Sequence, residues 1–151
     1  MSLIAISCNG AKYGEPVKAT AYLLSSFKNF WNYWNEYVKL SRDFTAFDES
    51  EKTISKDIFL KKLSTGGYLP LRLKSNDSLN YYKLCKIDER LNKDMSDAIK
   101  TCVNIRIQNN NMVNKPLPAF NFIDLNGRLY NGETCKGKIV VLNFWFIHCK
   151  S

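Results

Sequence analysis

The stretch that decides the fold is KPLPAFNFIDLNGRLYNGETCKGKIVVLNFWFIHCKS, residues 115–151. Pro116 and Pro118 fix φ and push the residues before them into extended backbone. From Phe120 to Tyr130 the chain is apolar on either side of Asn126-Gly127. An Asn-Gly pair supplies the positive φ values of a tight hairpin turn, so this segment predicts strand, turn, strand. Lys136-Gly137-Lys138 then leads into the nearly continuous apolar run Ile139–Ile147. Bounded by turn residues, such a run predicts a central strand covered on both faces. That strand would deliver His148, Cys149, Lys150 and Ser151 to the carboxyl edge of a sheet, where open α/β folds carry their chemistry.

Upstream, residues 17–42 carry Phe27, Phe30, Trp31, Trp34, Tyr37, Val38 and Leu40 at helical spacing with no internal Pro or Gly, which predicts one amphipathic helix. An aromatic stripe of this kind needs a large surface to pack on and reads as core. A second helix is predicted over 55–64, where Ile58, Phe59 and Leu63 share a face and Gly66-Gly67 stops it. Tyr68–Lys74 and Leu79–Ile87, separated by the turn cluster Ser75–Ser78, predict a β-hairpin with Pro70 at an edge or at the strand's beginning. Asp94 or Ser96 then caps a helix carrying Met95, Ala98, Ile99, Cys102 and Val103, which fades into the polar linker Gln108–Asn111. The fold class expected is α+β: a helical N-terminal region with one hairpin, then the first hairpin and first central strand of an incomplete thioredoxin-like fold. The expected division is 1–14, a signal remnant and linker; 15–113, an α+β region; and 114–151, the start of a redox domain.

Composition narrows the function. The 151 residues are 45% hydrophobic and 13% aromatic, enough to bury a core, and 24% charged, which excludes a disordered or low-complexity chain. The net charge is +8. It is spread, with 17 basic and 12 acidic residues over 1–113 and 5 and 2 over 114–151. No stretch concentrates the excess into a phosphate-tracking stripe, so no nucleic-acid partner is expected. No apolar run approaches the roughly 20 residues of a membrane-spanning helix. Cys85 and Cys102 fall on apolar positions of predicted elements and read as buried free thiols, a mutual disulfide being the alternative.

The ordered series Pro118, Phe120, Phe122, Asp124, Asn126-Gly127-Arg128, Lys136-Gly137-Lys138, Asn143-Phe144-Trp145 and Cys149 resembles the opening of a thioredoxin-like domain. It is most similar to the TlpA/ResA group of membrane-associated thiol-disulfide oxidoreductases, within the redoxin (AhpC/TSA) superfamily. The resemblance implies that Cys149 is the nucleophile of a Cys-x-x-Cys motif, activated at a helix N-terminus where the dipole favours thiolate. It places the resolving cysteine directly after Ser151, so the 151 residues alone are expected to lack dithiol activity and to be the N-terminal part of a longer protein. His148 stands where the family often has Trp, and a protonated imidazole there would stabilise the thiolate; an exposed loop residue is the alternative. Cys135 stands where Leu or Phe is common, and pairing with Cys149 is one reading of it. No cofactor or metal is implied. The partners implied are protein thiols and disulfides, with apocytochrome c or another envelope redox protein as client.

Met1–Gly10 puts a short apolar run before Cys8, with Ser7 preceding it, which resembles the end of a bacterial lipoprotein signal. Cys8 is then the lipid-attachment residue, and a frayed terminus with a free thiol is the other reading. The location implied is the periplasmic side of the bacterial cell envelope, with membrane contact only through that anchor. Three other functions compete. A peroxidase is disfavoured because Phe144–His148 lacks the Pro and Thr that peroxiredoxins place before their cysteine. A copper chaperone of the SCO kind shares the apolar run, His and Cys, and would need further soft ligands. A non-enzymatic docking module over 17–113, preceding a redox domain, fits the aromatic helix.

Overall fold

The computed structural model describes residues 13–141, and the chain divides into two units between Val113 and Asn114. The first is mixed α/β. Its elements run β1 (Tyr13–Pro16), α1 (Thr20–Leu24), α2 (Phe27–Tyr37), β2 (Phe44–Phe47), β3 (Thr53–Ile54), α3 (Lys56–Leu63), β4 (Tyr68–Ser75), β5 (Asn80–Lys86) and α4 (Lys93–Met112). The five strands form one sheet in the order β1-β4-β5-β2-β3. It is a mixed sheet, with β2 and β5 parallel and the other neighbours antiparallel.

The hairpin at its centre follows from residue chemistry. Tyr and Leu fill β4 and β5, and Tyr68 pairs with Lys86, Leu69 with Cys85 and Leu71 with Lys83. On β5 successive side chains go to opposite faces. Tyr82 and Leu84 enter the main core with Phe30, Tyr33 and Trp34 of α2, Phe59, Leu60 and Leu63 of α3, and Met95, Ile99 and Val103 of α4. Tyr81 joins a smaller cluster with Phe47, Leu73 and Tyr13. Pro70 lies where β4 has outrun its neighbour, since β1 pairs only with Leu73 and Ser75. The edge left there is satisfied by a side chain: the Tyr33 hydroxyl donates to Pro70 O (2.8 Å) and accepts from Arg72 N–H (2.6 Å).

The sequence expectations are corrected here at several points. The aromatic helix over 17–42 is two helices. Ser25 folds back, its hydroxyl donating to Tyr22 O (2.7 Å), and Ser26 starts α2 by accepting from Asn29 N–H (3.2 Å); serine competes with the helix ladder in this way. The same helix stops at Tyr37 because Tyr37 O accepts from the Tyr82 hydroxyl, which in turn accepts from Lys39 N–H, both at 2.8 Å. The last helix begins earlier than Asp94 or Ser96, after Asn92, and runs through the expected linker Gln108–Asn111 to Met112. Its outer half is held by Arg106, whose guanidinium donates to Leu40 O (3.1 Å) and Ser41 O (3.2 Å). Finally, the N-terminal region holds a sheet rather than a lone hairpin, because β1, β2 and β3 add to it. Cys85 and Cys102 are half-buried free thiols, which removes the mutual disulfide.

The second unit carries the hairpin expected across Asn126-Gly127, as β6 (Asn121–Ile123) and β7 (Leu129–Asn131). Gly127 takes a φ of 77°, and Asp124 closes the turn through Oδ1, which accepts from Asn126 N–H and Arg128 N–H, both at 2.9 Å. Ile139–Val141, expected to open the central strand, are exposed and unpaired, since no strand lies beside them among the described residues. The rest of that run lies outside the described residues.

Two substitutions test this packing. Tyr33→Phe removes the donor to Pro70 O and leaves Arg72 N–H without its partner; a loss of about 1–3 kcal/mol is expected, read as a lower urea midpoint with an unchanged slope. Gly66 has a φ of 82°, and a Cβ on it would run into Ser96 Oγ and Lys100 Cε. Gly66→Ala is therefore expected to cost about 2–4 kcal/mol from the left-handed backbone and the overpacking together, measured the same way.

Candidate functional site

Cys8, His148 and Cys149 lie outside the described residues, as does the chain leading from Val141 to Cys149. The segment between β7 and that chain is built from one asparagine. Asn131 Oδ1 accepts from Glu133 N–H (3.0 Å) and Thr134 N–H (2.9 Å), and Thr134 Oγ1 accepts from Asn131 N–H (2.9 Å). Cys135 follows in the next turn, its N–H donating to Asn131 O (3.0 Å). The thiol is half-buried and free, 4.0 Å from Thr134 Oγ1.

In the first unit the sheet itself makes a concavity of about 810 Å³. Its floor is apolar, from Leu71 and Leu73 of β4 with Phe47 and Tyr13. Cys85 and Lys83 of β5 border it, and its polar side chains include Glu15 of β1 and Glu49 and Glu51 of the β2–β3 turn. That turn is set by Asp48, whose Oδ1 accepts from Ser50 N–H and Lys52 N–H, both at 2.9 Å. It holds Glu51 in the left-handed region at a φ of 65°, and from there Glu51 reaches Lys83 at 2.7 Å. Glu49 meets Lys62 of α3 at 2.9 Å.

The Glu49–Lys62 contact shifts both of its members. The Glu49 carboxyl is pulled down to about 2, first by its own backbone N–H and then by the Lys62 ammonium, and Lys62 is raised by the same pair. Burial pushes the Cys102 thiol up, away from reactivity. Asp124 in the second unit is lowered, chiefly by the Arg128 N–H. The concavity thus offers an apolar floor bordered by two surface ion pairs, Glu49 with Lys62 and Glu51 with Lys83, features suited to binding. Sequence reasoning missed this cluster. The only linear signal was the Asp48–Lys52 turn, because the strands that complete the surface come from four separate parts of the chain.

No group of three or more metal-ligating side chains occurs among the described residues, and no described helix is long and apolar enough to cross a membrane. No family model matches the chain, and no curated protein or solved structure matches it.

The Glu49 contacts give a pH dependence whose sign is set by a depressed carboxyl. They stabilise the fold while the pH stays above the ordinary value of 4.5 and are lost as it falls toward about 2. In Glu49→Gln that acid-side loss is expected to be shallower than in the native chain, by urea midpoints measured across the interval. The effect should be small, because the pair is more than one-third exposed and screened by salt.

Proposed function

We propose that this chain is the N-terminal part of a cell-envelope thiol-disulfide oxidoreductase in which Cys149 is the attacking thiol. What supports the reading is the ordered series from Pro118 to Cys149, together with one structural observation that carries it. Several residues that make up the resemblance in the described part have defined local work. Asp124 closes the hairpin by accepting from the N–H groups of Asn126 and Arg128, and Gly127 supplies the positive φ between them. The described part of the series therefore forms a closed hairpin, which precedes the apolar run and the cysteine in the sequence.

On this reading the Cys149 thiolate attacks one sulfur of a client disulfide. A new sulfur–sulfur bond forms, the client's other sulfur leaves as thiolate and takes a proton, and a second cysteine releases the mixed disulfide. His148, when protonated, lowers the cost of the attacking thiolate. Clients are protein thiols and disulfides of the envelope, apocytochrome c among them, and Cys8 tethers the chain to the membrane surface through lipid. A docking module is the second reading. It is favoured by residues 13–113 forming a sheet, a core and an apolar concavity of their own.

Reduction of insulin disulfides by a chain carried beyond Ser151 tests the first reading. Turnover is expected, and Cys149→Ser is expected to bring it to background. Turnover that survives Cys149→Ser refutes the assignment, and a folded extended chain with no turnover favours the docking module.

A further inference from the structure

Two Asn-Gly pairs lie among the described residues, Asn126-Gly127 and Asn131-Gly132, and the fold treats them differently. In such a pair the glycine nitrogen meets little steric opposition as it approaches the asparagine side-chain carbonyl carbon. Asn131 is pinned: its Oδ1 is turned onto Glu133 N–H (3.0 Å) and Thr134 N–H (2.9 Å). Asn126 is exposed at the tip of the β6–β7 turn, and its carboxamide has no hydrogen-bond partner among the described residues, only its backbone N–H being held, by Asp124 Oδ1 at 2.9 Å. Nothing stands within 4 Å of the place a Cβ on Gly127 would occupy. The one bond to release there is Gly127 N–H to Asp124 O, 3.0 Å.

We infer that Asn126 is a site of spontaneous deamidation and that the fold protects Asn131 from the same reaction. The Gly127 nitrogen gives its proton to hydroxide and attacks Cγ of Asn126. The nitrogen–Cγ bond forms, the Cγ–Nδ2 bond breaks, and Nδ2 leaves as ammonia with a proton from water. Water then opens the cyclic imide at either carbonyl, giving aspartate or β-aspartate, with no change of oxidation state. The β-aspartate product adds one carbon to the backbone inside the span that Asp124 Oδ1 bridges, from Asn126 N–H to Arg128 N–H. Both products add a negative charge to the turn that Asp124 closes. Deamidation thus acts on the hairpin itself and weakens its closure.

The test is peptide mapping by mass spectrometry of the full chain aged at mildly alkaline pH, with β-aspartate counted by isoaspartyl methyltransferase. In native buffer Asn126 is expected to convert roughly fivefold faster than Asn131, which has one more hydrogen bond to release. In urea the two rates should converge. Asn126→Ser should abolish the methyl acceptor in that turn. Equal rates in native buffer, or a gap that persists in urea, would overturn the inference.

Discussion

Backbone polar groups taken out of water must find partners, and in the first unit two buried tyrosines provide them where strands and helices do not. Tyr33, on α2, reaches the sheet and satisfies the stretch of β4 that β1 leaves uncovered. Tyr82, on β5, reaches back and satisfies the end of α2 at Tyr37 and Lys39. The two tyrosines reach in opposite directions across one interface, each making two bonds, so helix and sheet each complete the other's ladder. Both hydroxyls act as donor and acceptor together, which requires the neutral phenol. Desolvation by burial raises both groups and keeps them in that form. The core around them, from Phe30 to Val103, depends on that fixed distance between α2 and the sheet.

The parts of this fold legible in the sequence are those whose partners are local. Tyr68–Ser75 and Asn80–Lys86 pair across a short polar turn, and Asn126-Gly127 joins β6 to β7, so the pattern and the turn chemistry agree. The strands β1, β2 and β3 are short, and β1 contains Gly14 and Pro16. Their pairing is supplied by β4 and β5, which no local window contains. The break at Ser25-Ser26 was readable in principle, since a serine pair inside an aromatic stripe offers a ready cap. The length of α4 was not. Gln108–Asn111 is polar throughout and reads as linker, yet it continues a helix that is anchored just upstream through Arg106.

The candidate chemistry rests on a different kind of signal, and its residues Cys8, His148 and Cys149 lie outside the described residues. Cys149 stood out through an ordered series of residues, and the hairpin that the series describes is present in the second unit. The concavity of the first unit had no linear signature, because Glu15, Glu49, Lys83 and Leu71 come from different elements. The second unit also leaves apolar side chains in water: Phe122, Ile123, Leu125 and Leu129 are all exposed. A two-stranded hairpin is marginal by itself and gains independent stability from further strands or a helix laid on its apolar residues.

The parallel pairing of β2 with β5 bears on how the molecule comes into being. Between these neighbours the chain makes β3, α3 and β4, so the middle of the sheet cannot close until all of them have been synthesised. The β4–β5 hairpin assembles from adjacent segments, whereas β2 must wait with one edge open for a partner that emerges later. The β2–β3 and β4–β5 pairings each join neighbouring segments, and the parallel β2–β5 pairing is the long-range contact that unites them.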